Sequence, residues 1–213
     1  ANSHILWVLS VTIPYSVTYI KPYAFKSCTQ LKKITLSSQK IIISPIAFEN
    51  CPKLEELVFD ANTTMIHKNI LNSFPYLKTV TIPLSVISID DYAFYKCTSL
   101  QSLNLPSSVK TIGKEAFKYC SSLKRITLPS SLESIGSNAF YECKLIEHLF
   151  IPSSIISIGF LAFNCRSLRL AYGTKNIFYN MFLNYHLLEH ISIPSSVTSI
   201  EDYAFNGCSL LKN

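Results

Sequence analysis

The sequence is poor in glycine, with only 5 among its 213 residues, and it has no run of about 18 apolar residues without a polar interruption. No membrane-spanning helix and no membrane insertion are therefore predicted for this chain, although the mean hydropathy is positive at +0.27. The N-terminal residues carry no basic segment ahead of their apolar stretch, so the sequence predicts no signal peptide.

The motifs of common catalytic centres are also missing. The chain has no glycine-rich phosphate loop, no Gly-x-Ser-x-Gly turn and no His-Glu-x-x-His pair, and its 13 acidic residues are scattered. Its 5 histidines and 7 cysteines show no spacing typical of metal ligands. We therefore expect a protein that is not an enzyme and that uses no metal and no cofactor.

Basic residues outnumber acidic ones, with 19 lysines and arginines and a formal net charge of +6. No basic run is interleaved with stacking aromatics, as it is in proteins that bind single-stranded nucleic acid. We therefore expect no nucleic-acid partner and interpret most lysines as solvated turn residues. A glycan remains a second partner class beside protein.

The chain contains a repeat of about 23 residues. The unit from Leu100 reads Leu-x-x-Leu-x-Leu-Pro-Ser-Ser-Val-x-x-Ile-x-x-x-Ala-Phe-x-x-Cys-x-x, and the unit from Leu123 matches it position by position. The unit from Ile146 is one residue short, and the unit from Leu168 is three short and lacks the Pro-Ser-Ser turn. A single domain over 1–213 is predicted, expected to be a fragment of a longer protein, with units that begin at Val8, Leu31, Leu54, Leu77, Leu100, Leu123, Ile146, Leu168 and Leu188.

Each unit predicts one coil of a solenoid. Leu-x-Leu is typical of a half-buried strand, which the following proline ends, and Val-x-x-Ile predicts a second short strand. Ala-Phe-x-x-Cys-x-x-Leu has the spacing of a helical turn. We therefore predict an α/β solenoid with a parallel sheet on its concave face and short strands and helical turns on the other side. Three glycines that follow the second strand are expected at positive φ: Gly113, Gly136 and Gly159.

The string Ile-Pro-Ser-Ser-Val-Thr-Ser-Ile-Glu-Asp-Tyr-Ala-Phe-Asn-Gly-Cys at 193–208 resembles the BspA-like, or Treponema pallidum-type, leucine-rich repeat. Ala-Phe pairs occur at the same place in seven of the nine units, so the resemblance extends over nearly the whole chain. It implies a right-handed solenoid in a surface-exposed or secreted protein that attaches to host or matrix proteins or to other microbes. It implies no catalytic residue.

Six of the 7 cysteines share one unit position, and Cys165 lies one residue early. Phe74 and Tyr185 occupy that position in other units, so the position favours a buried apolar group, and reduced, buried thiols are predicted. Coil spacing would also bring neighbours such as Cys97 and Cys120 within disulfide distance. The odd number of cysteines disfavours a fully bridged framework.

The candidate binding site lies at the third and fifth unit positions, which point outward from the first strand. Most residues at the fifth position are threonine or serine, as expected on a wet sheet face, but Phe150 and Tyr172 break this rule. Either they form an interaction patch with their basic neighbours, or they pack locally around the shortened unit from Leu168. The candidate residues are Lys33, Arg125, His148, Phe150, Leu170, Tyr172 and His190.

These features predict a non-catalytic protein-binding or adhesive module that acts through the concave sheet face. Its expected partners are host, matrix or other microbial surface proteins. The alternative is a structural spacer that displays another domain or associates end to end through uncapped coils. The one glycosylation sequon, Asn62-Thr63-Thr64, falls in a turn after a strand and would be used only in a secreted protein.

Overall fold

The computed structural model describes residues 9–37, 41–71 and 74–212, and in these ranges each coil consists of two strands joined by turns. The first strand of a coil has three or four residues and the second has two. No helix occurs in the described ranges, so the α/β class and the helical turns predicted from the repeat are not confirmed, and the described coils form a parallel-sheet β-solenoid. The predicted start of the first unit, Val8, lies outside the described residues.

The nine longer strands are β1 (Ser10–Ile13), β3 (Lys33–Leu36), β5 (Glu56–Phe59), β7 (Thr79–Thr81), β9 (Ser102–Asn104), β11 (Arg125–Thr127), β13 (His148–Ile151), β15 (Ser167–Leu170) and β17 (His190–Ser192). The nine short strands are β2 (Tyr19–Ile20), β4 (Ile42–Ile43), β6 (Met65–Ile66), β8 (Ser88–Ile89), β10 (Thr111–Ile112), β12 (Ser134–Ile135), β14 (Ser157–Ile158), β16 (Asn176–Ile177) and β18 (Ser199–Ile200). Alternate residues of the longer strands face inward and outward, as the Leu-x-Leu pattern predicts.

The longer strands pair in parallel, which confirms the predicted sheet of stacked coils. Ser10 of β1 lies opposite Lys33 of β3, so paired residues are 23 positions apart. Between β13 and β15 the separation falls to 19, because His148 lies opposite Ser167. These strands form three ladders, with the orders β1-β3-β5-β7, β9-β11 and β13-β15-β17.

The short strands form three further ladders, with the orders β2-β4, β6-β8-β10-β12-β14 and β16-β18. The two sets of ladders are interrupted at different coils. The longer strands do not pair between β7 and β9, but the short strands of the same two coils, β8 and β10, do pair. The short-strand ladder stops after β14, but the longer strands of those two coils, β13 and β15, pair. As a result, each pair of successive coils in the described ranges is joined by at least one parallel ladder.

Equivalent side chains stack along the interior. The rings of Phe94 and Phe117 lie 4.8 Å apart at 19°, and those of Phe117 and Phe140 lie 5.0 Å apart at 4°. These three side chains are fully buried, and the alanine before each of them is buried as well. Burying a phenylalanine side chain stabilises the fold by roughly 1.5–3 kcal/mol relative to leaving it exposed, so this stack is a main source of stability.

The cysteine ladder runs beside the phenylalanine stack. The thiol of Cys120 donates to the carbonyl oxygen of Phe94 at 3.1 Å, and that of Cys143 donates to the carbonyl oxygen of Phe117 at 3.0 Å. All seven cysteines are free; six are buried and Cys208 is half-buried. Five of these thiols fill core space and also satisfy a backbone carbonyl of the preceding coil: those of Cys51, Cys97, Cys120, Cys143 and Cys208.

In six of the coils, two residues with left-handed backbone replace the predicted helical turn. In the fourth coil they are Tyr92 and Lys96, with φ of 57° and 60°, and in the fifth they are Glu115 and Tyr119, with φ of 54° and 64°. A left-handed residue every fourth position cannot continue a right-handed helix, so the chain makes successive turns instead. The spacing of Ala-Phe-x-x-Cys therefore corresponds to successive turns with left-handed residues and not to a helical turn.

Gly113, Gly136 and Gly159 serve a different purpose from the one expected. Positive φ is found at Gly173 and Gly207 but not at these three glycines. A Cβ atom placed on Gly113 would lie 2.5 Å from the backbone nitrogen of Asp91. Successive coils approach too closely at this position for a side chain, and that contact requires glycine.

The second serine of each Pro-Ser-Ser turn links neighbouring coils. The hydroxyl of Ser108 donates to the carbonyl oxygen of Val86 at 2.6 Å, and that of Ser131 donates to the carbonyl oxygen of Val109 at 2.8 Å. Ser154, Ser85 and Ser196 make the same contact with the coil before them. The recurrent serines are thus part of the stacking and are not candidates for chemistry.

Candidate functional site

The most irregular part of the solenoid is the turn that follows Phe163. Phe140 and Phe163 are paired by an isolated bridge, and the register of the next strands makes Ile146 equivalent to Cys165. Ile146 lies six positions after Phe140, whereas Cys165 lies only two positions after Phe163. The seventh coil is therefore four residues short, and the eighth, which begins at Cys165, has the regular length of 23 because Ser167 pairs with His190. The predicted unit start at Leu168 and the predicted loss of its turn are both wrong.

This register moves two of the predicted site residues away from the sheet face. Leu170 lies opposite Ile151 and is buried, with 2% of its surface exposed. Tyr172 lies in the turn after β15, where it is 81% exposed, because 171–174 takes the place of Pro-Ser-Ser-Val. Neither residue belongs to the outward row on which the prediction placed it.

Arg169 takes the outward place beside Phe150. The first row along the face reads His148, Ser167 and His190, and the row next to it reads Phe150, Arg169 and Ser192. Phe150 is 50% exposed, and Arg169 is exposed beside it. The prediction missed Arg169 and Ser167, although counting back 23 positions from Leu188 identifies Cys165 as the start of the unit and so places both.

A depression lies between the two histidines. Ser167 is the small residue between His148 and His190, and it lies at the base of a hollow of about 570 Å³ that also touches Phe150 and Arg169. A second hollow of about 780 Å³ begins at the same three residues and continues to the shortened turn at Asn164. Both hollows thus open at the coil that lost four residues.

The charge on this face is predominantly positive. Arg125 and Arg169 have no ion-pair partner among the described residues. The nearby carboxylate of Glu189 accepts from Lys212 at 2.6 Å and from Arg166 at 3.0 Å, and its pKa is lowered chiefly by the hydrogen bond from Lys212. Glu189 is therefore ion-paired, whereas the two guanidinium groups on the face and the exposed Glu147 at its edge form no ion pair among the described residues.

Lys33 is not part of this cluster. Its ammonium group bonds the carboxylate of Glu56 at 2.8 Å across neighbouring strands, so its charge is compensated. It lies in the second coil, whereas His148 and Phe150 lie in the seventh. The structure brings together five outward residues in β11–β17, which we call the strand-face patch: Arg125, His148, Phe150, Arg169 and His190.

The described ranges contain no group of three histidine, cysteine, aspartate or glutamate side chains placed to hold a metal ion. They also contain no helix with the length and apolar character needed to cross a membrane. The face offers guanidinium and imidazole donors beside an exposed ring, which is chemistry suited to recognition.

Stacked two-strand coils with a recurrent leucine, alanine-phenylalanine and cysteine core define the class as a leucine-rich-repeat solenoid. The family model for the BspA type leucine rich repeat region, in 6 copies, matches residues 7–121 and 87–212. The chain belongs to this family, as the motif at 193–208 predicts. Members are repeat scaffolds that generally lack catalysis. No curated protein matches the chain in sequence.

The chain is similar to solved structures of repeat proteins. The leucine-rich repeat protein of Treponema pallidum is 21% identical, with a TM-score of 0.51 over 96% of this chain and 78% of that one. A leucine-rich repeat protein from Bacteroides ovatus is 24% identical, with a TM-score of 0.49 over 95% and 73%. The pneumococcal vaccine antigen PcpA is 18% identical, with a TM-score of 0.46 over 90% and 67%.

Proposed function

We propose that this chain is a non-catalytic protein-binding module and that it recognises its partner through the strand-face patch. The observation that carries the proposal is the pairing of a half-exposed phenylalanine, Phe150, with the uncompensated guanidinium of Arg169, above a hollow of about 570 Å³. Aromatic and arginine side chains next to a cavity are the composition enriched at interface hot spots.

The chemistry of the patch selects the kind of partner. Two guanidinium groups without carboxylate partners, at Arg125 and Arg169, favour a segment that presents aspartate or glutamate. The hollow beside Phe150 has room for an apolar side chain next to that carboxylate. An acidic segment with one adjacent apolar residue on the surface of a folded partner fits both features.

We further propose that the module acts at the cell surface or as part of a secreted protein and serves in attachment. The support is membership of the BspA-type repeat family. Host, matrix and other microbial surface proteins are the proposed partners.

The test is a capture experiment with the immobilised chain. Wild-type protein and the variants Arg169→Ala, Phe150→Ala and Tyr172→Ala are incubated in parallel with host-cell, matrix and bacterial surface extracts. Proteins retained by wild type and by Tyr172→Ala, but lost with the other two variants, would support the proposal. Retention that is the same on all four proteins would place the binding site elsewhere.

A structural role is the second candidate, because each coil of a solenoid contacts only its neighbours and the stack can extend as a spacer. End-to-end association of such solenoids would serve this role. Light scattering over a range of concentrations tests it, since a mass that does not rise with concentration would exclude such association.

A further inference from the structure

Tyrosines and lysines alternate on the turn side of the fourth to sixth coils. The ammonium group of Lys96 lies 5.2 Å from the centre of the Tyr95 ring and 6.0 Å from that of Tyr119. The ammonium group of Lys118 lies 5.4 Å from the centre of the Tyr119 ring and 5.7 Å from that of Tyr141. The ammonium group of Lys68 lies 5.4 Å from the centre of the Tyr92 ring, and the carbonyl oxygen of Lys114 accepts from the amide of Tyr92 at 2.9 Å. We call the following residues the tyrosine–lysine surface: Lys68, Tyr92, Tyr95, Lys96, Lys114, Lys118, Tyr119 and Tyr141.

The backbone holds this surface in place. Lys96 and Tyr119 occupy equivalent positions in neighbouring coils, and both have a left-handed backbone. The amide of Lys96 donates to the carbonyl oxygen of Lys118 at 2.9 Å, and that of Tyr119 donates to the carbonyl oxygen of Tyr141 at 3.0 Å. Side chains from coils about 4.8 Å apart are thus presented as a regular array.

The carboxylates near this surface are already engaged. Asp91 accepts from the backbone amide of Lys114 at 2.6 Å, and Asp90 accepts from the backbone amide of Lys68 at 3.2 Å. Glu115 pairs with Lys118 at 3.0 Å. The ammonium groups of Lys68, Lys96 and Lys114 form no ion pair in the described part of the chain, so on three adjacent coils they remain available to an anionic ligand.

The tyrosine rings are not available for stacking on nucleic-acid bases. Tyr95 meets Tyr92 and Tyr119 edge to face, at interplanar angles of 67° and 81°, and lysines cover the faces. All four rings are half-buried. Base stacking requires open aromatic faces, so single-stranded nucleic acid is a poor fit.

A protein anchor is equally absent from this region, since no large apolar side chain between residues 88 and 144 is exposed. The surface presents ammonium and phenolic hydroxyl donors that repeat from coil to coil. The lysine–ring and ring–ring contacts described above limit the rotamers of these side chains. Such donors recognise oxyanions. We propose that the tyrosine–lysine surface binds a sulfated polysaccharide chain, independently of the strand-face patch.

The proposal is tested with immobilised dextran sulfate, and with unmodified dextran as the uncharged reference, at about 150 mM salt. The variant Lys68→Gln/Lys96→Gln/Lys114→Gln is expected to weaken binding about tenfold. The matched control is Lys32→Gln/Lys124→Gln/Lys175→Gln, which removes the same charge from lysines that also lack ion-pair partners in the described ranges. Its affinity is expected to stay within about twofold of wild type.

Two further measurements make the test specific. Tyr119→Phe keeps the ring beside Lys96 and removes one hydroxyl donor, so it should weaken binding about two- to threefold without changing the thermal unfolding temperature. Single-stranded DNA and polyglutamate serve as competitor polyanions. Equal losses in the two triple variants, or competition by DNA or polyglutamate as strong as that by free dextran sulfate, would overturn the proposal.

Discussion

Phe150 lies directly opposite Arg169 in the parallel ladder, and this pairing exists because the turn after Phe163 is four residues shorter than its equivalents. With the regular separation of 23 residues, the position opposite Phe150 would fall on Gly173 instead. The shortened turn therefore determines which side chains meet on the face, and it opens the hollow beside them.

Replacing either member of this pair should weaken partner binding. Arg169→Ala and Phe150→Ala are each expected to raise the dissociation constant about 10- to 100-fold, since a hot-spot side chain contributes about 1–3 kcal/mol. Isothermal titration calorimetry with the captured partner measures the change. Tyr172→Ala and Lys33→Ala are the controls, because Tyr172 lies in a turn and Lys33 is paired with Glu56. A loss as large in either control would contradict the assignment.

Interrupting the phenylalanine stack should destabilise the whole solenoid. Phe117 lies between Phe94 and Phe140, at 4.8 and 5.0 Å, and is fully buried, so Phe117→Ala should lower the free energy of unfolding by about 3–5 kcal/mol. Urea denaturation followed by circular dichroism reports the change. The control is Phe205→Ala in the ninth coil, where the ring is only half-buried and meets Phe182 on one side. Equal losses at the two sites would show that stacking on both sides is unimportant.

The two serines of one turn provide a matched pair. Ser108→Ala removes the hydroxyl that donates to Val86 at 2.6 Å and should lower the free energy of unfolding by about 1 kcal/mol. Ser107→Ala alters an exposed side chain in the same turn and should change it by less than about 0.5 kcal/mol. Thermal denaturation of the two variants side by side measures the difference. Indistinguishable midpoints would refute the role of the Ser108 hydroxyl in linking neighbouring coils.

Alkaline pH should destabilise the protein through its buried thiols. Burial raises the pKa of Cys165 to about 12 and also raises the pKa of Cys97 and Cys120. Thiols in the unfolded chain have a pKa near 8.5. Below that pH the buried thiols are protonated in both states and their full contribution to stability is present. As the pH rises from 8.5 toward the higher pKa of the folded state, the unfolded chain loses its thiol protons first and this contribution is lost. The free energy of unfolding should therefore fall above about pH 9, by up to about 1.4 kcal/mol per pH unit for each such thiol.

Denaturant titrations at a series of pH values under reducing conditions measure this slope. Cys165→Ala should reduce the slope by the share of one thiol, although it also lowers stability at neutral pH by leaving a small cavity. A slope that is the same in the variant and in wild type between about pH 9 and 11 would show that this thiol is not the titrating group.

The repeat was sufficient to predict the coils, the parallel pairing and the inward residues, because one coil cannot bury its own apolar edge and must stack on another. The turn conformation was not predictable in the same way. Apolar residues three and four positions apart are compatible with a helix and equally with two left-handed turns, and only the backbone at positions such as Tyr92 and Lys96 distinguishes them.

The candidate site was predicted in part. Arg125, His148, Phe150 and His190 face outward as expected, because strand alternation fixes their direction. The prediction misplaced Leu170 and Tyr172 because the sequence alone does not show whether the residues missing from the repeat are missing before or after β15. A shift of the repeat by an odd number of residues moves each strand side chain to the opposite face. Which side carries the gap is shown by the backbone bridge that pairs Phe140 with Phe163.

The offset between the breaks in the long-strand and short-strand ladders has a mechanical consequence. A solenoid whose two sheets were interrupted between the same coils would contain a plane of weakness, where a pulling force would separate it with few hydrogen bonds to break. Here a force along the stack meets a parallel ladder at each of the junctions between successive coils in the described ranges. Because the breaks are staggered, no junction in the described ranges lacks a ladder, and the junctions with the shortest ladders are those between β7 and β9 and between β11 and β13.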